Sequence, residues 1–441
     1  MSGLFDNIHP GLGRDDAIKI LAKDSAELEN QSDYYTAVSQ LINFPCQESS
    51  DALIFFLQKD SNDISVRLAQ RKAVEVLARL KVDHAQLAIA QFLNSSDIYM
   101  VENVAWALAE LNCQDYESQQ LMIQLLDDPN QNQRVLIQSL SKLFVLEAVP
   151  SVLSLLKSDH TPVRGAAIAA IARLSGDRSC LDQLSDFLFC ANQMDRQSAV
   201  QDVIDAGAND LIPSVLKAPV SPVFRLRAVR SLLEPLGESH DIERTLSVVD
   251  QLLYDDPRNI VVLHQYDEPL PIKLLVEGLF HPDFSRCYLA MQSLLVIDPS
   301  DLWLQLERSW LSRAHNDYGA HYFMMNLFGL IHQWDSNALD GIHKILLQAI
   351  SDQRPQFKKS VPAAFLSYAK LFPDDCDSLI GSWLSHSQTP FWQCRYVALM
   401  VSQDNQRFSQ TKQYRDSLNV LAKHDPDSFV RAKAQAALLN A

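Results

Sequence analysis

The stretch TPVRGAAIAAIARL, residues 161–174, decides the fold of this chain of 441 residues. Its apolar residues follow the helical spacing, in which positions i, i+3, i+4 and i+7 share one face. Similar segments recur about every 31 residues along the chain. With their last residues, these segments are RKAVEVLARL (Leu80), ENVAWALAEL (Leu111), LIQSLSKL (Leu143), AAIAAIARL (Leu174), QSAVQDVIDA (Ala206) and LRAVRSLLEPL (Leu236). This step length predicts a repeating unit of two helices.

The second helix of each predicted unit lies between these segments. Examples are HAQLAIAQFL, YESQQLMIQLL and VPSVLSLLKSD, each followed by a short polar turn. A helical hairpin cannot cover its own apolar face, so neighbouring hairpins must stack to bury it. We therefore expect an all-α solenoid, a right-handed superhelix of helical hairpins with a concave binding groove.

An arginine stands near the start of several of these helices, and this pattern is typical of HEAT repeats. A planar guanidinium with several donors suits a bridge to an acidic residue or a carbonyl group in the adjacent unit. That structural role is the main interpretation of each arginine. The positions are Arg67, Arg134, Arg164, Arg225 and Arg431.

The repeat register divides the chain into three predicted segments. Residues 1–60 form an N-terminal helical cap, residues 61–240 the regular repeats, and residues 241–441 irregular repeats that continue the same solenoid. Prolines punctuate the chain after about residue 240, but helical spacing persists to the end. No Gly/Ser-rich linker supports a freely jointed domain.

Composition excludes several classes of protein. A formal net charge of −16 argues against a nucleic-acid binder, which needs clustered Lys and Arg. No apolar run reaches the ~18 residues of a membrane span, and the start lacks a signal-peptide pattern. We expect a cytoplasmic protein without membrane insertion.

Cysteines and short motifs give no sign of a metal or a cofactor. The seven cysteines include no CxxC pair and are odd in number, which argues against a disulfide framework or a zinc site. Most are expected to be reduced core residues. No GxGxxG, Walker, HExxH or GxSxG motif is present, so neither a metal nor a cofactor is predicted.

Three stretches resemble a known family. DYYTAVSQLINFPC (33–46), NQRVLIQSLSKL (132–143) and NDYGAHYFMMNL (316–327) are similar to the phycoerythrin-type members of the E/F clan of phycobilin lyases, which are HEAT-repeat proteins. The resemblance covers nearly the whole chain. A chain of this length is closer to the single-chain phycoerythrin lyases than to the two-subunit phycocyanin lyases.

This resemblance implies an enzyme that binds an open-chain tetrapyrrole, phycoerythrobilin, as its substrate. Such an enzyme directs a cysteine thiol of a phycoerythrin subunit, the α subunit by our prediction, to the ethylidene group of ring A. Some relatives also convert the bilin to phycourobilin during attachment. The alternatives are a non-catalytic HEAT-repeat scaffold and a bilin carrier or chaperone, because fold alone does not specify function.

The predicted catalytic residues are Asp317 and Tyr318, at the start of a helix. Either group can transfer a proton to or from the bilin. On that helix, Tyr318, Tyr322, Met325 and Gly329 form a stripe opposite the core stripe, which would suit a flat ligand. The alternative is that Asn316 or Asp317 caps the helix and the tyrosines pack against the next repeat.

Other residues are predicted to contact the bilin or its two propionates. An arginine in the groove would form charge-assisted hydrogen bonds with a propionate. Lys358 and Lys359 are instead assigned to solvated surface. Together with Tyr322 and Met325, the predicted substrate-binding residues are His315, His321, Trp106, Arg134, Arg164 and Arg313.

Overall fold

The computed structural model describes residues 9–59, 63–233, 242–385, 391–404 and 409–439. Within these ranges the regular secondary structure is helical and contains no strand, which confirms the predicted all-α class. The predicted repeat end at Leu236 and the first eight residues of the predicted N-terminal cap lie outside the described residues. The chain forms two compact units, Met1–Leu181 and Asp182–Ala441.

The first unit consists of helical hairpins. Helices α3, α5, α7 and α9 pack on α4, α6, α8 and α10 respectively, and the latter four pack side by side in chain order. This arrangement is the stacking of two-helix repeats that the register predicts. The helices are α1 (Arg14–Ala22), α2 (Asp33–Leu41), α3 (Gln47–Leu57), α4 (Ile64–Arg79), α5 (Gln86–Ala90), α6 (Ile98–Glu110), α7 (Tyr116–Leu125), α8 (Gln133–Lys142), α9 (Val149–Leu155) and α10 (Thr161–Ser175).

The second unit contains further hairpins and several longer helices. The predicted change from regular to irregular repeats, at residues 240 and 241, lies outside the described residues. Its helices are α11 (Asp182–Phe187), α12 (Gln193–Asp205), α13 (Ile212–Lys217), α14 (Pro222–Leu232), α15 (Ile242–Tyr254), α16 (Ile272–Gly278), α17 (Phe284–Leu294), α18 (Pro299–Ser312), α19 (Tyr318–Leu330), α20 (Ser336–Ile350), α21 (Ser360–Leu371), α22 (Asp377–Trp383), α23 (Trp392–Asp404), α24 (Lys412–His424) and α25 (Ser428–Leu439).

A residue with left-handed backbone conformation follows the end of each of five helices, α4, α6, α8, α10 and α12. At the first of these ends, the Val82 N–H bonds the Leu77 carbonyl at 3.1 Å, the bond that closes a helix C-terminus in a Schellman motif. These residues recur about every 31 positions, the same interval as the apolar segments of the sequence. They are Lys81, Asn112, Phe144, Gly176 and Gly207.

The predicted structural role of the repeat arginines is confirmed at two positions. Arg134 Nη1 donates to the Pro162 carbonyl at 2.6 Å, at the start of the next repeat. Arg225 Nη2 donates to Asp255 Oδ1 at 2.7 Å, beyond the end of α15. These bonds join successive helical pairs.

The cysteines are free thiols. Four of the seven are buried in the core, as predicted for most of them, and the other three are half-buried. The buried cysteines are Cys113, Cys287, Cys376 and Cys394.

Helix α19 is buried on all sides beyond its first turn. Residues 320–329 are all buried, so a helix that is apolar all round lies in the centre of its unit. The face of α19 that carries its predicted second stripe lies against α21. Gly329 is so close to this helix that an added Cβ atom would lie 2.8 Å from the Ser367 Cα. Ser367 Oγ also donates to the Met325 carbonyl at 2.6 Å. Tyr322 and Met325 are therefore buried, whereas the prediction placed them on an open face.

His321 is also a core residue rather than a ligand contact. Its ring stacks on Phe357 at 4.4 Å and lies 5.0 Å from the Trp310 ring, and its Nδ1 atom is buried without a hydrogen-bond partner. Burial lowers the pKa of His321 to about 4, because the charged form has no water around it. The prediction placed this ring toward a ligand, whereas packing encloses it.

A buried charge network joins α14, α17 and α19. The Asp255 carboxylate, which follows α15, accepts from Arg225 through Oδ1, and from the Tyr288 and Tyr322 hydroxyls through Oδ2, both at 2.8 Å. Arg225 Nη2 also contacts the Tyr288 hydroxyl. All four side chains are buried, and the carboxylate, the two hydroxyls and Arg225 Nη2 bond one another, whereas Arg225 Nε is buried without a hydrogen-bond partner.

We predict that Asp255→Asn destabilises the protein by about 3 kcal/mol, because it leaves the Arg225 guanidinium buried without a counter-charge. Asp255 has a positive φ of 42°, a conformation that asparagine tolerates, so the change tests charge rather than backbone strain. Urea unfolding followed by circular dichroism measures the effect. The control is Asp256→Asn, whose partner Arg258 is exposed, with an expected loss below about 1 kcal/mol. Equal losses in the two variants would refute the prediction.

We predict that His321 makes the protein less stable as pH falls from about 6.5 to about 4. In this window the unfolded chain binds a proton at His321 and the folded chain does not, so stability is lost with falling pH, by up to about 3 kcal/mol. His321→Phe keeps a ring at the site but removes the titrating group. Its free energy of unfolding, measured with urea, should fall less between pH 7 and pH 4.5 than that of the wild type. The exposed His332→Gln is the control and should retain the wild-type slope.

Candidate functional site

The first turn of α19 is its exposed end, and it carries both predicted catalytic residues. Asp317 caps the helix, because its Oδ1 accepts from the Gly319 N–H at 3.0 Å and from the Ala320 N–H at 2.8 Å. The carboxylate is half-buried, and the Tyr318 side chain is 54% exposed. The capping alternative is therefore confirmed for Asp317, and Tyr318 presents its ring to solvent.

Lys359 lies directly behind Tyr318, contrary to the prediction that it is solvated. Its Nζ atom is buried without a hydrogen-bond partner. The ammonium faces three aromatic rings, at 4.3 Å from the Tyr318 centroid, 5.1 Å from Tyr322 and 5.4 Å from Phe284. The rings supply cation–π attraction in place of hydrogen bonds. Lys358, by contrast, is exposed as predicted.

Burial controls the charge of Lys359. It lowers the pKa of the ammonium to about 8, although the nearby carboxylates of Asp255 and Asp317 oppose that shift. A pKa in this range leaves the group mostly protonated at neutral pH and able to exchange a proton.

The groups beneath Lys359 are held in their neutral forms. Burial raises the pKa of the Tyr322 and Tyr288 hydroxyls well above 10, and both donate to Asp255. Burial also raises the pKa of the Cys287 thiol to about 12, so this cysteine is not a nucleophile. The predicted catalytic residues Asp317 and Tyr318 lie at the start of α19, with Lys359 behind Tyr318.

A small cavity adjoins Lys359. Its volume is about 50 Å³, and its walls come from α14, α15, α19, α21 and α23. Val223 on its rim is 52% exposed. The lining residues are Pro222, Val223, Leu226, Leu252, Leu253, Tyr322, Lys359, Pro362, Ala363 and Gln393.

Two other predicted residues lie just before α19. His315 is half-buried, and its Nδ1 contacts the Trp310 carbonyl at 2.9 Å. The Arg313 side chain is half-exposed, pairs with Glu277, and has its guanidinium carbon 3.8 Å from the Phe280 centroid. Both side chains therefore contact neighbouring residues. Of the two, Arg313 is the more exposed to solvent.

The remaining predicted residues, Trp106, Arg134 and Arg164, belong to the first unit. Trp106 is half-buried in a cleft of about 330 Å³ on the stacked faces of α4, α6 and α8, with the Arg79 guanidinium 5.8 Å from its ring centroid. Arg134 and Arg164 are half-buried at the starts of α8 and α10. The cleft is lined by Glu75, Arg79, Glu102, Asn103, Trp106, Ala109, Val135, Gln138, Ser139 and Lys142.

Sequence reasoning identified the exposed end of α19 and missed the residue behind it. Lys359 directly precedes the apolar helix SVPAAFLSYAKL, at a helix N-terminus where the helix dipole disfavours a positive charge. That unfavourable placement was the available signal. The role of Asp255 left no sequence signal, because its partners are 30 to 67 residues away along the chain.

No helix in the described ranges combines the length and apolar character that a bilayer span requires.

Comparison with known proteins identifies full-length relatives, although no family model matches the chain. The bilin biosynthesis protein CpeY of Synechococcus sp. (strain WH8020) is 40% identical over 417 residues, which cover 94% of this chain and 99% of that protein. The uncharacterized phycocyanin operon protein Y of Pseudanabaena tenuis (strain PCC 7409) is 32% identical over 428 residues, which cover 96% of this chain and 97% of that protein.

A solved structure, the complex of CpcE and CpcF of phycocyanin lyase from Nostoc sp. PCC7120, matches with a TM-score of 0.49 and 22% identity. The match covers 57% of this chain and 99% of that chain. The family assignment rests on the two sequence relatives, whose similarity extends from end to end. This protein belongs to the family of the bilin biosynthesis protein CpeY.

Proposed function

We propose that this protein attaches phycoerythrobilin through a thioether to a cysteine of a phycoerythrin α subunit. The relative named as a bilin biosynthesis protein supports a bilin as the substrate. The acceptor thiol would come from the phycoerythrin subunit, which agrees with the protonated, buried state of Cys287. In the same site, isomerisation to phycourobilin would be an optional second activity.

One observation carries this proposal: an exposed tyrosine ring, a half-buried carboxylate and a buried ammonium meet at the start of α19. Tyr318 offers a flat apolar face with a hydroxyl, and Asp317 lies beside it in the chain. Lys359 places a positive charge 4.3 Å from that ring. A conjugated tetrapyrrole with N–H groups and carboxylates matches such a surface.

Thioether formation makes one C–S bond and one C–H bond across a double bond. The thiol sulfur bonds to the exocyclic ethylidene carbon of ring A, and a proton goes to the adjacent ring carbon, so the addition needs no oxidant. In our proposal Tyr318 supplies that proton and Asp317 binds the pyrrole N–H groups. The S–H bond of the thiol breaks as the C–S bond forms, and the proton that the thiol releases returns to Tyr318, so the enzyme is restored. The Lys359 charge would stabilise negative charge that develops on the bound bilin.

Isomerisation would use the same groups in a different order. One proton leaves a carbon of the conjugated chain and another is returned to a different carbon, so the double bond moves without net oxidation. A carboxylate and a phenol side by side can serve as base and acid for this exchange. The same substitutions would therefore affect both activities.

We predict that Tyr318→Phe and Asp317→Asn each lower the rate of attachment roughly 100-fold, the usual contribution of a general acid or base. Phenylalanine keeps the ring over Lys359, and asparagine keeps the helix cap, so both changes remove chemistry without removing packing. The assay co-expresses the protein with a phycoerythrin α subunit and a phycoerythrobilin-making pathway. The amount of pigment that stays on the subunit after denaturation measures covalent attachment, and its absorbance spectrum distinguishes phycoerythrobilin from phycourobilin.

Two matched controls accompany these variants. Tyr116→Phe changes a tyrosine that is 65% exposed in the first unit, and Asp298→Asn changes a carboxylate that caps α18. Both should attach pigment at the wild-type rate. If the Tyr318→Phe variant and the Asp317→Asn variant both attach pigment at the wild-type rate, the proposed site is refuted.

The same assay separates the proposed lyase from the two alternatives. A non-catalytic scaffold gives no covalent pigment and no bilin bound to the purified protein. A bilin carrier binds pigment but leaves none on the phycoerythrin subunit after denaturation. Covalent pigment that requires this protein is the result that we expect.

A further inference from the structure

The cavity beside Lys359 combines an apolar wall with an unsatisfied cation. An ammonium carries three donors, and none of those of Lys359 has a hydrogen-bond partner. The next residue, Ser360, is fully buried, and its hydroxyl also has no hydrogen-bond partner. The start of α21 thus carries an ammonium and a hydroxyl that are both buried with unused donors.

Such an arrangement is costly unless a ligand uses it. Burying a charge without hydrogen bonds is unfavourable, and a structure tolerates it where another group completes the site. The three rings and the carboxylates of Asp255 and Asp317 offset part of the cost. They do not fill the hydrogen-bonding capacity of the ammonium. An anionic oxygen acceptor would do so.

The size and lining of the cavity define which anion fits. A volume of about 50 Å³ holds a few heavy atoms and excludes a whole tetrapyrrole. Most of the walls are apolar, from Pro222, Leu252 and Ala363 among others, and Gln393 contributes an amide. A single carboxylate on a short alkyl arm satisfies both the apolar walls and the one cation. The exposed rim at Val223 gives the arm an entrance.

We propose that this cavity binds one propionate arm of the bilin, with its carboxylate paired to the Lys359 ammonium. The inference rests on the proposed function, since it names the subsite that orients the pigment in that site. Lys359 is then a substrate-binding residue, and Gln393 lies within the same cavity to bind the carboxylate.

This anchor would also set which part of the bilin reaches Tyr318. Lys359 contacts the inner side of the Tyr318 ring, and the exposed part of that ring faces solvent. A carboxylate fixed at Lys359 therefore holds its pyrrole ring, and the bridges on either side of it, at a fixed distance from the tyrosine. Orientation of this kind lowers the barrier of a proton transfer by keeping the reacting groups together.

The test compares the binding of phycoerythrobilin with that of its propionate dimethyl ester. The full-length protein is titrated with each pigment, and absorbance gives the dissociation constants. We expect Lys359→Met to weaken binding of the free acid roughly 30-fold, because it removes a charge-assisted hydrogen bond. Binding of the ester should stay within about twofold, since the ester has no carboxylate to lose. Lys358→Met, at the adjacent exposed lysine, should bind both pigments as the wild type does.

The comparison of acid and ester on the wild-type protein needs no variant, so it holds even if Lys359→Met does not fold. Equal affinities of the wild type for acid and ester would overturn the anchor and leave the proposed function intact. If Lys359→Met weakens the binding of the acid and the ester equally, the anchor is also overturned, because Lys359 would then act only on the structure. Failure of the wild type to bind either pigment would overturn the proposed function together with this inference.

Discussion

The pairing of Arg225 with Asp255 is the interaction on which the second unit depends. Both side chains are buried, so neither charge is tolerable without the other. The Asp255 carboxylate also receives the hydroxyls of Tyr288 and Tyr322, and three helices thus meet at one carboxylate. The pair fixes α14, α17 and α19 relative to one another in a way that apolar packing alone, which is non-directional, does not.

The fixed position of α19 determines what the site can be. Because Tyr322 is bonded to Asp255 and Gly329 lies against Ser367, the helix cannot turn its second stripe toward solvent. Only its first turn remains open, with Tyr318 on the surface. The same packing places Lys359 under the Tyr318 ring with its donors unused. The candidate site is therefore a consequence of how the core is closed.

The sequence places Asp317 and Tyr318 correctly at a helix start, but it does not show the burial of the residues farther along that helix. Asp317 and Tyr318 lie at a helix start, where local rules for capping and exposure apply. Tyr322, Met325 and His321 were assigned to a surface stripe, because a helical wheel shows faces and does not show how many neighbours cover them. Ten consecutive buried residues show that α19 is covered on all sides.

The helical hairpins, their spacing of about 31 residues, the bridging role of two repeat arginines and the family resemblance are all readable from the sequence. These features follow from apolar spacing, turn residues and motifs that are local or repeat at a fixed interval. The folded chain alone shows that Asp255 binds two tyrosines and an arginine, and that the Lys359 ammonium is buried beside a cavity. The physical reason is that burial and charge pairing depend on side chains brought together from distant parts of the chain, and no periodic pattern records those contacts.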